Sequence, residues 1–183
     1  PGTHFDLVDI GSVLGLSGAA VETATVTAGG TNFSRVEDGA WDPSNYSDFY
    51  FATTDQIDLV TDGTGTQIGR SRLWRLSFTD INNPELEGTI EAVLDGTEGQ
   101  NMMDNLTMDR SGHIVIGEDV GNNAHNGKIW DYNIATDGLT LIGKHDVARF
   151  GDIGIAATAP FSQDEESSGV IDVHAILGPG MYL

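Results

Sequence analysis

The sequence predicts an all-β chain organised as a β-propeller, and three observations carry that prediction: several short strand-like runs, abundant turn-forming glycine, and an internal repeat. Of 183 residues 24 are glycine, and long apolar stretches are few, which suits short strands joined by tight turns better than a helix bundle. Runs rich in β-branched and aromatic residues occupy 48–54, 71–78, 113–117 and 128–133, each bounded by turn formers, and read as strands. Between them lie Asp62-Gly-Thr-Gly65, Asn82-Asn-Pro84, Arg110-Ser-Gly112 and Asp137-Gly138, which supply the positive or fixed φ angles that turns need. No segment shows a sustained helical period, so strands are expected throughout.

The repeat is the most specific of the three. Glu37-Asp38-Gly-Ala-Trp41-Asp42 aligns without a gap on Asp104-Asn105-Leu-Thr-Met108-Asp109, an offset of 67 residues from 37 to 104. Each block is followed by a turn and an apolar strand that ends in Asp55 or Asp119. Downstream, Ser71-Arg-Leu-Trp74-Arg-Leu76 matches Gly127-Lys-Ile-Trp130-Asp-Tyr132, an offset of 56 from 71 to 127. Both offsets exceed the roughly 40 to 50 residues of simpler propeller repeats, which places insertions between strands, with 63–70 one candidate. A third acidic group, Asp164-Glu165-Glu166-Ser-Ser-Gly169, opens 60 residues after Asp104. The chain therefore divides into blade-like units near 33–80, 100–145 and 160–183. About three blades is fewer than the roughly 4 to 8 of a closed propeller, so an incomplete propeller with open sheet edges, able to pair with another chain, is expected.

Charge limits the partners. Acidic residues outnumber basic ones 28 to 8, a formal charge of −20, which disfavours nucleic acid and acidic membranes and favours cations. No stretch reaches the roughly 18 apolar residues of a membrane helix, and no basic-then-apolar leader opens the sequence. A soluble stretch without membrane insertion is expected, its export signal lying elsewhere. The absence of cysteine excludes disulfides and thiolate ligands within this stretch.

In a propeller the innermost strands run beside one axis, so equivalent positions of successive blades meet in one ring. Glu37, Asp104 and the acids of 164–166 then converge at one end, where like charges at low effective dielectric call for a cation. Calcium, which takes six to eight oxygen ligands, matches the carboxylates and amides on offer. The plainer alternative is that these acids cap turns. Asp42 and Asp109, ahead of Pro43-Ser44 and Arg110-Ser-Gly112, read as such turn initiators. Trp41, Trp74 and Trp130 read as inter-sheet core. The loop Glu118-Asp119-Val-Gly121-Asn122-Asn123-Ala-His125 groups carboxylates, amides and an imidazole after a strand, as a metal loop or an Asn/Gly-rich hairpin would. His4, His113, His145 and His174 show no ligand spacing. Nucleophile-elbow, phosphate-loop, zinc-helix and EF-hand patterns are absent. Arg35 lies two residues from Glu37, so both face one way in an extended segment, as binding a phosphate oxyanion beside a metal requires.

Five blocks in order, Phe33-Ser-Arg35-Val-Glu37-Asp38-Gly-Ala-Trp41-Asp42-Pro43, Phe49-Tyr-Phe-Ala-Thr-Thr54, Asp104-Asn105-Leu, Glu118-Asp119-Val-Gly121-Asn122 and Asp164-Glu165-Glu166-Ser-Ser-Gly169, resemble the PhoX-type bacterial alkaline phosphatases. That resemblance implies a six-bladed propeller that hydrolyses phosphate monoesters in the periplasm or outside the cell, with calcium and iron at the channel mouth. By it Arg35 contacts the substrate phosphate, Glu37 binds metal, and Asp104, Asn105, Glu118 and Glu165 or Glu166 are further cluster positions. Val36 stands where the family pattern has proline, and the cysteine that holds iron is expected outside this stretch. Two other readings share the fold: a calcium-stabilised propeller without catalysis, in an adhesive or surface role, and a calcium-dependent esterase or lactonase.

Overall fold

The computed structural model describes residues 2–54, 71–121 and 124–183. The turn expected at 62–65, the insertion expected at 63–70, Asp55, Asn122 and Asn123 lie outside the described residues. The chain is mostly β, in two antiparallel sheets. The first contains β1 (Thr3–Phe5), β2 (Val36–Trp41), β3 (Asp48–Thr53), β4 (Arg72–Phe78) and β5 (Gly88–Leu94) in the order β1-β5-β4-β3-β2. The second is the meander β6 (Met103–Met108), β7 (His113–Glu118), β8 (Lys128–Asn133) and β9 (Gly138–Lys144), in sequence order. The runs read as strands from β-branched and aromatic content thus form β3, β4, β7 and β8.

Three helical elements also occur among the described residues: α1 (Gly18–Thr27), α2 (Val147–Phe150) and α3 (His174–Leu177). The expectation of strands alone is corrected at α1. Ser17 caps it by accepting the Ala20 N–H at 3.3 Å, and five of its ten residues are β-branched Val or Thr, which is why composition gave no helix signal. None of its residues is buried, so it has no apolar stripe for periodicity to detect. At 160–183, where a third blade-like unit was expected, the described chain forms α3 and an isolated bridge between Asp172 and Tyr182.

The two meanders share one core. Tyr50, Ala52, Leu73 and Leu94 of the first sheet pack with Met103, Leu106, Met108, Ile114, Ile116 and Tyr132 of the second. β3 and β4 pair Phe51 with Trp74 and Ala52 with Leu73; because side chains alternate, Phe49, Phe51 and Trp74 face away from that core. There they build an aromatic array with Trp41, Phe78, Phe33 and Phe5, ring centroids 5.0–6.4 Å apart. The placing of all three tryptophans between sheets is therefore corrected: Trp130 is buried, whereas Trp41 is 46% exposed on the outer array.

The repeat seen in sequence is a repeat in three dimensions. Arg35 and Met102, the residues before β2 and β6, both have left-handed φ, 54° and 52°, a conformation costly for side chains other than glycine. Their carbonyls accept the Thr54 and Asp119 N–H groups at 3.0 and 2.9 Å. Both first strands then bulge, between Val36 and Gly39 and between Met103 and Leu106. The structural partner of Asp119 is thus Thr54, one residue short of the Asp55 that sequence matching selects.

Candidate metal centre

The bulges decide where the acids point. An extra residue in one strand breaks the two-residue alternation and re-aims the side chains within it, and Glu37 and Asp104 each sit inside a bulge. β2 lies beside β6, so the two carboxyls approach each other, and the presence of Glu37 favours the protonated form of Asp104. Asp38, next along β2, accepts the Gly39 N–H at 2.8 Å and, across the junction, the Leu106 N–H at 3.2 Å. It ties the two sheets together and leaves Glu37 to the cluster.

Asp104, Asp119 and Glu166 each offer a carboxylate oxygen, all within 4.8 Å of one another. Asp119 follows β7 immediately, held by its N–H to Met102. Glu166 comes from the irregular segment after α2. Burial, followed by the charges of Glu37, Asp119 and Glu166, pushes the Asp104 carboxyl up from its usual 3.8 to about 6. Negative charge is concentrated there beyond what nearby protein groups offset. On the rim, Arg35 Nε stands 3.7 Å from Glu37 Oε1, with both side chains partly exposed.

Of the residues selected from sequence, Glu37, Asp104 and Glu166 come together with Arg35 alongside. Asn105 adjoins them, its amide 3.4 Å from Asp104 Oδ2. Glu165 is exposed and lies outside the carboxylate trio. Glu118 has a different job: its side chain is fully buried and accepts four donors, the Asn101 N–H at 2.8 Å, His125 Nε2 at 3.0 Å, the Lys128 N–H at 3.1 Å and Trp130 Nε1 at 2.7 Å. Those contacts occupy both oxygens, so Glu118 serves as an internal anchor rather than a ligand. Its counterpart in the first sheet is Thr53, whose hydroxyl takes Trp74 Nε1 at 3.0 Å.

Asp119 is the member that the sequence reading left out of the ligand set. The available signal was the pairing of Glu118 with Asp119 at a strand end, where one residue turns into the sheet and the next leaves it. The turn roles of Asp42 and Asp109 hold: Asp42 Oδ1 accepts the Ser44 and Asn45 N–H groups at 2.7 and 3.1 Å, and Asp109 Oδ1 those of Ser111 and His113 at 2.8 and 3.0 Å.

No described helix is long and apolar enough to cross a membrane. Comparison with protein-family models, with curated proteins and with solved structures found no match to this chain.

Proposed function

We propose that the two meanders are adjacent blades of a β-propeller, and that the carboxylates at their shared end hold calcium for the hydrolysis of phosphate monoesters outside the cytoplasm, as in the PhoX-type phosphatases that the sequence resembles. The propeller reading is supported by the repeated register. The face of β6–β9 that packs on the first sheet corresponds to the aromatic face of β2–β5, which is shaped to receive a further sheet in the same way.

The observation that carries the functional reading is the meeting of Asp104, Asp119 and Glu166 within 4.8 Å, with Glu37 against Asp104 and Arg35 beside Glu37. The donor set is all oxygen, which fits calcium. Iron on the pattern of that family needs a thiolate, and none is present in this sequence. Bound calcium supplies Lewis acidity toward phosphoryl oxygens. The remaining work belongs to the chain: Arg35 offers its N–H groups to equatorial phosphoryl oxygens, Glu37 orients the guanidinium, and the carboxylates of Asp104, Asp119 and Glu166 hold the cation.

The test is hydrolysis of 4-nitrophenyl phosphate with and without a calcium chelator, by the parent chain and by Arg35→Ala and Asp104→Asn. Chelator-sensitive turnover that falls ~100-fold or more in each variant is expected, the scale of losing an oxyanion-stabilising group. Calcium binding by folded protein without turnover would replace the enzyme reading with a calcium-stabilised propeller.

A further inference from the structure

Glu166 belongs to no strand or helix, so contacts made by its neighbours must fix its position. The carbonyl oxygen of Ser167 rests against Gly117 of β7, where a methyl group would collide with it. Gly117 has no positive φ, so glycine is not required there by backbone conformation; clearance for the crossing segment is the reason left. Ser167 Oγ is 2.8 Å from His145 Nε2. His145 is itself seated, its N–H donating to the Gly127 carbonyl at 3.0 Å and its ring lying 4.9 Å from that of Phe150. The Glu165 carbonyl passes over Gly127, 3.5 Å from where a Cβ would stand. Two glycines and a histidine thus form a seat beneath the chain on both sides of Glu166.

We infer that residues 163–168 are a strap docked on Gly117 and His145, and that this seat sets the affinity of the metal centre by placing its third carboxylate. Gly117 and His145 are positioning residues that act through Ser167. β7 carries Gly117 of the seat, and Asp119 follows the end of the same strand two residues later, so a change at 117 alters the spacing between ligands without removing one. The effect on affinity rests on the calcium reading above; the docking rests on packing alone.

Two measurements on the whole chain separate these parts: calcium affinity by titration calorimetry, and amide hydrogen exchange of 163–168 in metal-free protein. Gly117→Ala and Glu166→Gln should each weaken calcium binding by ~10 to 100-fold, the scale found for groups that orient metal ligands. If Gly117 acts through Glu166, the double variant should bind no more than ~2-fold more weakly than Glu166→Gln alone, because the two changes share one interaction. Strap exchange should rise in metal-free Gly117→Ala and in Ser167→Ala while β7 and β8 keep their protection. Additive losses in the double variant, or unchanged strap protection in both variants, would overturn the inference. If Gly117→Ala fails to fold, Ser167→Ala with and without Glu166→Gln completes the same cycle. A parent chain that binds no calcium overturns the calcium reading and the affinity link with it, and strap exchange then decides the docking separately.

Discussion

Glu118 and Asp104 lie on paired strands within a few residues of each other, and their environments give them opposite effects on stability. Glu118 is sealed from solvent, and its charge is spread over four N–H donors. Replacing it by glutamine turns an amide toward groups that all donate, leaving buried donors unpaired. Glu118→Gln should lower unfolding stability by about 3 kcal/mol in urea titrations, and an unchanged midpoint would show that the anchor is dispensable. Asp104 is crowded by like charge instead. Its folded-state value of about 6 stands above its usual 3.8, so between those values the folded chain binds the proton that the unfolded chain releases. Metal-free stability should therefore fall as pH rises from about 4 to 6 and remain at the lower level above that. Because the carboxyl is only half-buried, the loss is about 1 kcal/mol rather than the full value of the shift. Asp104→Asn should remove this slope and stabilise the metal-free protein near pH 7, while lowering calcium affinity; a slope that survives in the variant would assign it to another group.

Among elements, the junction between β2 and β6 shows what could be read from the sequence. The ungapped match of 37–42 on 104–109 identified Glu37 and Asp104 because both occupy the same bulge after the same left-handed residue, so similarity in sequence reports similarity in aim. Asp119 is harder to read from sequence: a shift of one residue at the end of β7 exchanges the sealed interior, where Glu118 lies, for the partly exposed cluster where Asp119 lies. Glu166 could be narrowed only to one of two, since an irregular strap has no period, and α1 lacked any apolar stripe. Nor does the match reveal how the sheets are fastened. Met103 is held at both ends of its residue by the first sheet: its N–H donates to Ser71 Oγ at 2.8 Å and its carbonyl accepts the Thr54 hydroxyl at 2.8 Å. Both contacts are buried, so Thr54→Val and Ser71→Ala should each cost about 1 to 3 kcal/mol. Because they grip one residue, the pair should be non-additive by at least ~0.5 kcal/mol. Strict additivity in denaturant titrations would mean that the two bonds act independently rather than as one clasp on Met103.

Across the whole molecule, the net charge opposes the compact state. A formal −20 carried by 28 acids and 8 bases makes the folded chain repel itself, and two remedies act over different distances. Simple salt screens repulsion between exposed groups beyond about 8 Å at physiological ionic strength; a bound cation offsets the close cluster of Asp104, Asp119 and Glu166, where screening by bulk ions is weak. Sodium chloride raised from ~10 mM to ~0.5 M should therefore lift the thermal midpoint of metal-free protein by a few degrees, the equivalent of about 1 to 2 kcal/mol at this chain length. Calcium chloride at matched ionic strength should lift it further, by an increment that grows with the logarithm of calcium concentration above the dissociation constant. In Glu166→Gln the sodium effect should persist while the calcium increment shrinks, because one substitution barely alters the total charge but removes a third of the trio. Magnesium, smaller and more reluctant to shed water, should give less than calcium. Equal midpoints for sodium, magnesium and calcium at matched ionic strength would mean that the acids act only through the overall field, and the carboxylate trio would then hold no specific ion.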